Sequence, residues 1–335
     1  MATIADLGEF GLIARLTAEL AQQPDVLLGV GDDAAILAVG DGDALVATCD
    51  AQVEGIHFRL HSSTPQDIGR RALAVNLSDI AAMGATPRFA LISLLAPATL
   101  DVSIIDGIYA GLREEAATFH VTIVGGNVAR NPERLIIDVT LLGTGDRHQL
   151  LRRAGAQPGD ALYVTGALGT AAAGLRVMEQ ETVAATLPPT VRQIVTAAQR
   201  TPTPQVAAGL WLAAHGATAA LDISDGLAAD LLHLCQASGV GALVDVAALP
   251  ILPATDMVAQ VFGKGATTLA LYGGEDYQVL FTLPATTAET SASQLMTATG
   301  ITVTRIGTMT AEPAVLVTQA GQTTPLLANG WDHMR

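Results

Sequence analysis

"LDISDGLAADLL" occupies residues 221–232. Its first residues read as an apolar strand whose alternation sends Asp222 and Ser224 to the same face, while Asp225 stands where the following helix begins. A strand that passes into a helix within a few residues belongs to the α/β class, and α/β folds bind ligands at the carboxyl ends of their strands. Capping of the next helix accounts for Asp225 taken alone. It does not account for Asp222, which ends an apolar strand and shares its face with a second oxygen.

The flanking sequence repeats this alternation. Short β-type runs fall at 44–49, 121–125, 134–144, 161–165, 217–223, 277–283 and 301–308. Helix-spaced apolar positions fall at 8–22, 66–85, 103–118, 169–181, 191–200, 204–214 and 226–238. The class is α/β or α+β. The longest polar, turn-rich connection is "GDRHQLLRRAGAQPGD", which predicts two domains, 1–149 and 150–335, with the junction near 150. "ATTAETSASQ" (285–294) is small and polar and reads as an internal loop.

Composition narrows the chemistry. The 335 residues exceed the usual size of a single core, and half of them are hydrophobic, enough for two cores. A net charge of -15 argues against nucleic acid and anionic membrane as partners, because both require clustered Lys and Arg. The opening "MATIADLGEFGLIARL" shows no basic leader, and no apolar run approaches a membrane span, so a cytoplasmic protein is expected. Cys49 and Cys235 are too few for a disulfide framework.

Several acids sit in apolar, glycine-rich settings: "GVGDDAAIL" (29–37), "VATCDAQVEG" (46–55), "VNLSDIAAMGA" (75–85) and "YGGEDYQVLF" (272–281), besides the opening stretch. Buried charge is tolerated mainly when it is paired or bound to metal. The chain has only 17 basic side chains, and Lys264 is its single lysine. Oxygen ligands of the Asp, Ser and Thr type suit Mg²⁺, which keeps waters and is completed by substrate phosphates. In "VNLSDIAAMGA" helical spacing places Asn76 and Asp79 on one face, and a pairing of Asp79 with Arg70 or Arg71 is the competing explanation. Asp32 and Asp33 follow Gly31 at a strand end, where a solvated turn would also suit them, and Asp50 follows a second apolar strand. The coincidence of several such sites favours a shared Mg²⁺-phosphate centre.

A P-loop is excluded, since no Walker A sequence is present. The glycine-rich turns "VGGNVAR" (124–130) and "VTGALGTAAAG" (164–174) could still offer backbone N–H groups to phosphate. His57 is the histidine next to an acidic cluster, and Tyr109 on the 103–118 helix is a candidate for an adenine pocket.

Taken in order, "GDDAAIL", "TCDAQVEGIHF", "ALAVNLSDIAAMGATP", "VGGN", "RAGAQPGD", "YVTGALGTAAAGL", "DISDGLAADL", "GGEDYQVLFT" and "GWDHM" resemble the thiamine-monophosphate kinase family, over nearly the whole chain. That family belongs to a superfamily with aminoimidazole ribonucleotide synthetase. The resemblance implies a two-domain fold like that enzyme's, dimeric through N-terminal sheets, and transfer of the ATP γ-phosphate to thiamine monophosphate. It further implies Mg²⁺ contacts at Asp33, Thr48, Cys49 through its backbone, Asp50, Asp79, Asn127, Asp222 and Asp225. ATP contacts would fall on Gly126, Asn127, Arg153 and Ser224, and thiamine-side contacts on His57, Glu275 and Trp331. Where the family usually carries an aspartate after the glycine pair this chain has Asn127, which keeps an oxygen but loses a charge, so a raised Mg²⁺ requirement is expected. Two alternatives remain: a related ATP-dependent enzyme with another phosphate acceptor, and a non-catalytic nucleotide or thiamine-phosphate binder.

Overall fold

The computed structural model describes residues 3–18, 20, 23–40 and 42–327. The first half of the chain runs α1 (Ile4–Thr17), β1 (Val26–Leu28), β2 (Ala35–Ala38), β3 (Asp43–Val53), α2 (Pro65–Ala82), β4 (Thr86–Ala96), α3 (Val102–Thr118), β5 (Thr122–Arg130) and β6 (Ile136–Asp146). The second half opens with β7 (Ala161–Thr165), α4 (Thr170–Glu179), α5 (Glu181–Ala184), α6 (Pro189–Arg200), α7 (Val206–Ala214), β8 (Ala219–Asp222) and α8 (Leu227–Ser238). It closes with β9 (Gly241–Asp245), α9 (Pro253–Val261), α10 (Ala266–Tyr272), β10 (Val279–Leu283), α11 (Ala288–Thr299), β11 (Val303–Thr310), β12 (Val315–Gln319) and β13 (Gln322–Pro325). The fold is mixed α/β.

Among the described residues the strands form two sheets, one in the order β1-β2-β3-β6-β4-β5 and one in the order β13-β12-β9-β11-β7-β10-β8. The connection between β6 and β7 runs from one sheet to the other and contains residue 150. In the first sheet, alternation decides the two faces. Ala44, Val46 and Thr48 of β3 and Ile137, Val139 and Leu141 of β6 are buried on one side, where Leu73, Leu77 and Ile80 of α2 join the same core. Phe89 and Leu91 of β4 and Val124 and Val128 of β5 are exposed on the sheet.

Helix α2 is the axis of the molecule. Thr64 caps its start by accepting from the Asp67 N–H, Pro65 occupies the first turn, and nearly every residue from Ile68 to Ala82 is buried. Its cover comes from both halves of the chain. Helix α7 presses so closely that a Cβ on Gly209 would stand 1.8 Å from the carbonyl oxygen of Ala81, and Val206 of α7 belongs to the core of the first sheet.

Three segments differ from the sequence expectations. Residues 86–96 form a long strand, β4, because Ala90, Ile92 and Leu94 are buried while apolar Phe89 and Leu91 fill the other face, a pattern without alternation to read. The stretch expected to be an internal loop around 285–294 instead enters helix α11, whose Ser291, Ala292 and Leu295 bury one face at helical spacing. Helix α1 starts at Ile4 rather than residue 8, capped by reciprocal hydrogen bonds between Thr3 and Asp6, and bends at Gly8.

Candidate active site

One face of β3 meets α2 at three successive levels. Thr48 Oγ1 donates to Asp79 Oδ2 at 2.5 Å, the Asp50 N–H donates to Asn76 Oδ1 at 3.1 Å, and Arg71 Nε donates to Gln52 Oε1 at 3.1 Å. Alternation along the strand puts residues 48, 50 and 52 on that face together, and 3.6-residue periodicity turns 71, 76 and 79 toward it. Two turns on from Arg71, the same side of α2 meets the second sheet: Ser78 Oγ donates to Asp222 Oδ2 at 2.6 Å, at the carboxyl end of β8. Arg70 and Arg71, the competing partners for Asp79, are engaged elsewhere, Arg70 with Glu114 and Glu115 and Arg71 with Glu275.

The segment between β1 and β2 adds further acids to the site. Asp33 pairs with the Arg153 guanidinium, whose Nε lies 3.0 Å from Asp33 Oδ1. Asp32 accepts the Arg153 backbone N–H at 3.1 Å and the Asp33 N–H at 3.0 Å, so it ties the segment between β1 and β2 to the β6–β7 connection that carries Arg153. Burial alone would lower Arg153, but Asp33, Asp32 and Asp222 together hold it above its ordinary value.

Charge in this cleft is unbalanced. Burial pushes the Asp33 carboxyl up to about 8, with Asp222 and Asp32 adding to the effect against Arg153. Burial likewise raises Asp79 well above the usual carboxylate range, helped by Asp50, Asp222 and Asp33. Asp222 is pushed up to about 6 by burial, with Asp50 and Asp225 acting in the same direction. Groups that raise one another in this way form one electrostatic unit. Within it Asp33 Oδ2 is buried and has no hydrogen-bond partner among the described residues.

An orphaned buried carboxylate oxygen among acids and hydroxyls matches what a hard divalent cation needs. Among the described residues no three acid, histidine or cysteine side chains draw together into a metal-binding group. A cation that retains water and takes up phosphate oxygens does not require such a closed protein shell, and the donor chemistry of the cleft fits Mg²⁺.

The remaining sequence-derived residues distribute around this centre. Cys49 points to the other face of β3, where its Sγ donates to Asp138 Oδ1 at 3.1 Å, so only its backbone belongs to the Asp50 side. His57 closes a tight turn after β3, its Nδ1 accepting the Val53 N–H at 3.0 Å, which leaves the proton of the neutral ring on Nε2. Gly126 and Asn127 lie on the exposed edge strand β5, level with Ile92 and Ser93 of β4. Only glycine fits at 126, since a Cβ there would meet the Ile92 carbonyl oxygen at 1.8 Å and φ is 153°. Strands β4 and β6 separate β5 from β3, so Asn127 is not drawn into the Thr48–Asp79 contact. Tyr109 packs half-buried against the first core. Ser224 offers its carbonyl to the Glu275 N–H at 2.7 Å, and the Asp225 N–H is held by Asp230 Oδ2 at 3.1 Å. Trp331 lies outside the described residues.

One expectation is corrected. The turn at 164–174 does not present free N–H groups to a phosphate, because Asp276 already occupies the start of α4, accepting from Gly169 N at 2.6 Å and Ala171 N at 3.1 Å. Sequence reading also passed over Ser78 and Asp230, and it weighed Arg71 only as a partner of Asp79 and Asp32 only as part of an acidic pair. Ser78 stood inside a quoted acidic stretch and Asp32 in a quoted pair; the roles of Arg71 and Asp230 left no local mark.

Comparison with known proteins agrees with this geometry. Residues 31–145 match the AIR synthase related protein N-terminal domain and residues 157–318 the matching C-terminal domain. The thiamine-monophosphate kinase of Escherichia coli O157:H7 is 35% identical over 331 residues, covering 97% of this chain and 98% of that protein. The thiamine-monophosphate kinase of Bacillus subtilis is 35% identical over 277 residues, 83% of this chain and 84% of the relative.

The chain belongs to the thiamine-monophosphate kinase family.

A solved structure of that family, AaThiL complexed with AMPPCP and TMP, superposes with a TM-score of 0.87 at 32% identity, covering 99% of both chains. The helix α2 framework and both sheets described above are therefore the family fold.

Proposed function

We propose that this protein transfers the γ-phosphate of ATP to thiamine monophosphate in a direct, in-line reaction assisted by several Mg²⁺ ions, giving thiamine diphosphate and ADP. The observation that carries the reading is the bare Oδ2 of Asp33 within a set of buried acids supplied by both sheets. Family membership and the thiamine-monophosphate kinase relatives support the substrate pair.

Asp33, Thr48, the Cys49 backbone, Asp50, Asp79, Asn127, Asp222 and Asp225 are the residues that would hold Mg²⁺. When bound, Mg²⁺ supplies neutralisation of phosphate charge, the main demand of a transfer between two anions. Arg153 would then bind nucleotide phosphate from its seat between Asp32 and Asp33, and Gly126, Asn127, Ser224 and Tyr109 would complete the ATP contacts. Ser78 and Thr48 orient Asp222 and Asp79 by donating to them. His57, Glu275 and Trp331 would contact the thiamine side. No general base is needed, since the acceptor phosphate is already an anionic nucleophile. A homodimer joined through the exposed β4–β5 face and a cytoplasmic location complete the proposal; among the described residues no helix is long and apolar enough to cross a membrane.

The test is incubation with ATP, Mg²⁺ and thiamine monophosphate, with separation of the thiamine phosphates. Thiamine diphosphate and ADP should appear in equal amounts. ADP formed only with another phosphate acceptor would transfer the reading to a related enzyme, and ATP binding without turnover would make the protein a binder.

A further inference from the structure

Arg71 is a buried cation that the proposed chemistry does not use. It lies on α2 one helical turn and more before Asn76, and its guanidinium reaches three different segments of the chain. Nε donates to Gln52 on β3, Nη1 to the carbonyl oxygen of Gln199 at the end of α6, and Nη2 to Glu275 Oε1 in the loop before β10. Gln199 Nε2 closes the ring by donating to Glu275 Oε2 at 3.1 Å. Gln52, Arg71 and Gln199 are all buried, and Glu275 alone keeps an open edge, its side chain 27% exposed.

The loop held in this way is not relaxed. Glu275 has φ 70° and Tyr277 φ 49°, both in the left-handed region that non-glycine residues seldom occupy. Two backbone hydrogen bonds, Glu275 N to Ser224 O at 2.7 Å and Tyr277 N to Ile223 O at 2.8 Å, tie it to the loop carrying Asp222 and Asp225. The Arg71 guanidinium also lies over the Tyr277 ring, 5.9 Å from its centre. On β3, Gln52 sits four residues beyond Thr48, about 13 Å along the strand. The Gln52 end is also where His57 folds back onto Val53. The cleft therefore has an acid end around Asp79 and a clamped end around Glu275.

We infer that Arg71 is a positioning residue for the phosphate acceptor: it fixes the Glu275 carboxylate, through a buried clamp reaching both domains, so that its exposed edge faces the acceptor. The inference rests on the assignment of Glu275 to the acceptor side. It explains why three partners in fixed directions are met by an arginine, whose rigid fork serves all of them, where a lysine would supply one compact charge.

The experiment compares wild-type protein with Arg71→Lys, Glu275→Gln and the double variant, reading KM for each substrate and backbone amide exchange over residues 272–278. Arg71→Lys should raise KM for thiamine monophosphate roughly tenfold, while KM for ATP stays within about twofold, as expected for a misplaced contact rather than a lost fold. It should add nothing in the Glu275→Gln background. The Glu275 and Tyr277 amides should exchange faster in Arg71→Lys, with the strands of the first sheet unchanged. Because disturbing a buried cation can unfold a chain, Gln199→Leu is measured alongside; it releases one oxygen of Glu275 and should move the same KM in the same direction by less. Equal shifts in both KM values, additive effects in the double variant, or unchanged exchange at 272–278 would overturn the inference. Wild-type protein that makes no thiamine diphosphate would remove the assigned acceptor, while the exchange comparison decides the clamp by itself.

Discussion

Glu275 and Asp276 at one end of the cleft have both carboxylate oxygens met by protein donors, Glu275 by Arg71 and Gln199 and Asp276 by the N–H groups that open α4. Asp33 at the other end leaves Oδ2 bare, and Asp79 and Asp222 are raised by their acidic neighbours as well as by burial. Asp276, Asp33 and Asp222 are all buried, while Glu275 keeps an open edge. The difference is what compensates them: Asp276 builds the fold, Glu275 is held in place with one edge left open, and Asp33 keeps an oxygen for a ligand. A saturated carboxylate loses stability when altered; an uncompensated one should lose function and gain stability.

The largest effect that follows is on turnover. Asp79→Asn keeps an oxygen to accept from Thr48 but removes one of the mutually repelling charges. Thiamine diphosphate formation should fall by at least about 100-fold, while the thermal midpoint without Mg²⁺ holds or rises. A variant that keeps full activity, or that is markedly less stable, would place Asp79 with the structural acids.

Asp276→Asn tests the opposite end, and its effect should be on stability, about 1 kcal/mol or somewhat more at acidic pH, since the amide cannot take up the proton that stabilises the native carboxyl there. Burial pushes Asp276 up to about 7 even though Gly169, Ala171 and Thr170 N–H groups lower it. A folded-state value above the unfolded one means that the native chain binds the proton more tightly. The contribution is thus fully present below about pH 4 and is lost as pH rises through about 7. Denaturant unfolding across this window should show a wild-type slope that the variant lacks; equal slopes would remove the assignment.

The smallest effect concerns the edge strand. Asn127→Asp should lower the Mg²⁺ concentration for half-maximal turnover by a few-fold, about twofold to tenfold, by restoring a charge where the family usually has one. An unchanged Mg²⁺ dependence would take position 127 out of the metal set.

The two ends of the cleft were unequally legible in the sequence. Asp33, Asp79 and Asp222 could be found because an acid beside an apolar strand, or within an apolar helix, violates the local pattern; Asp50, expected just after a strand that ends at 49, instead lies inside β3, which runs on to Val53. Arg71 and Ser78 could not, because their partners Glu275 and Asp222 lie 204 and 144 residues away in the chain. The strand-to-helix units were readable from 2.0 and 3.6 periodicity. β4 was lost because both of its faces are apolar, and α11 because its buried face is made largely of small residues. The turn at 164–174 looked like a phosphate cradle for the same reason: local sequence shows the donors of a helix start but not a distant Asp276 that fills it.

The contact of α7 with α2 bears on how the molecule comes apart. Val206 completes the core under the first sheet, and Gly209 allows backbone to touch backbone at Ala81. A chain cut near residue 150 would leave the first sheet with its central helix stripped along one side. The two sheets are thus not beads on a string but interlocked parts with a shared keel, and neither can swing as a free hinge or melt first without disturbing the other.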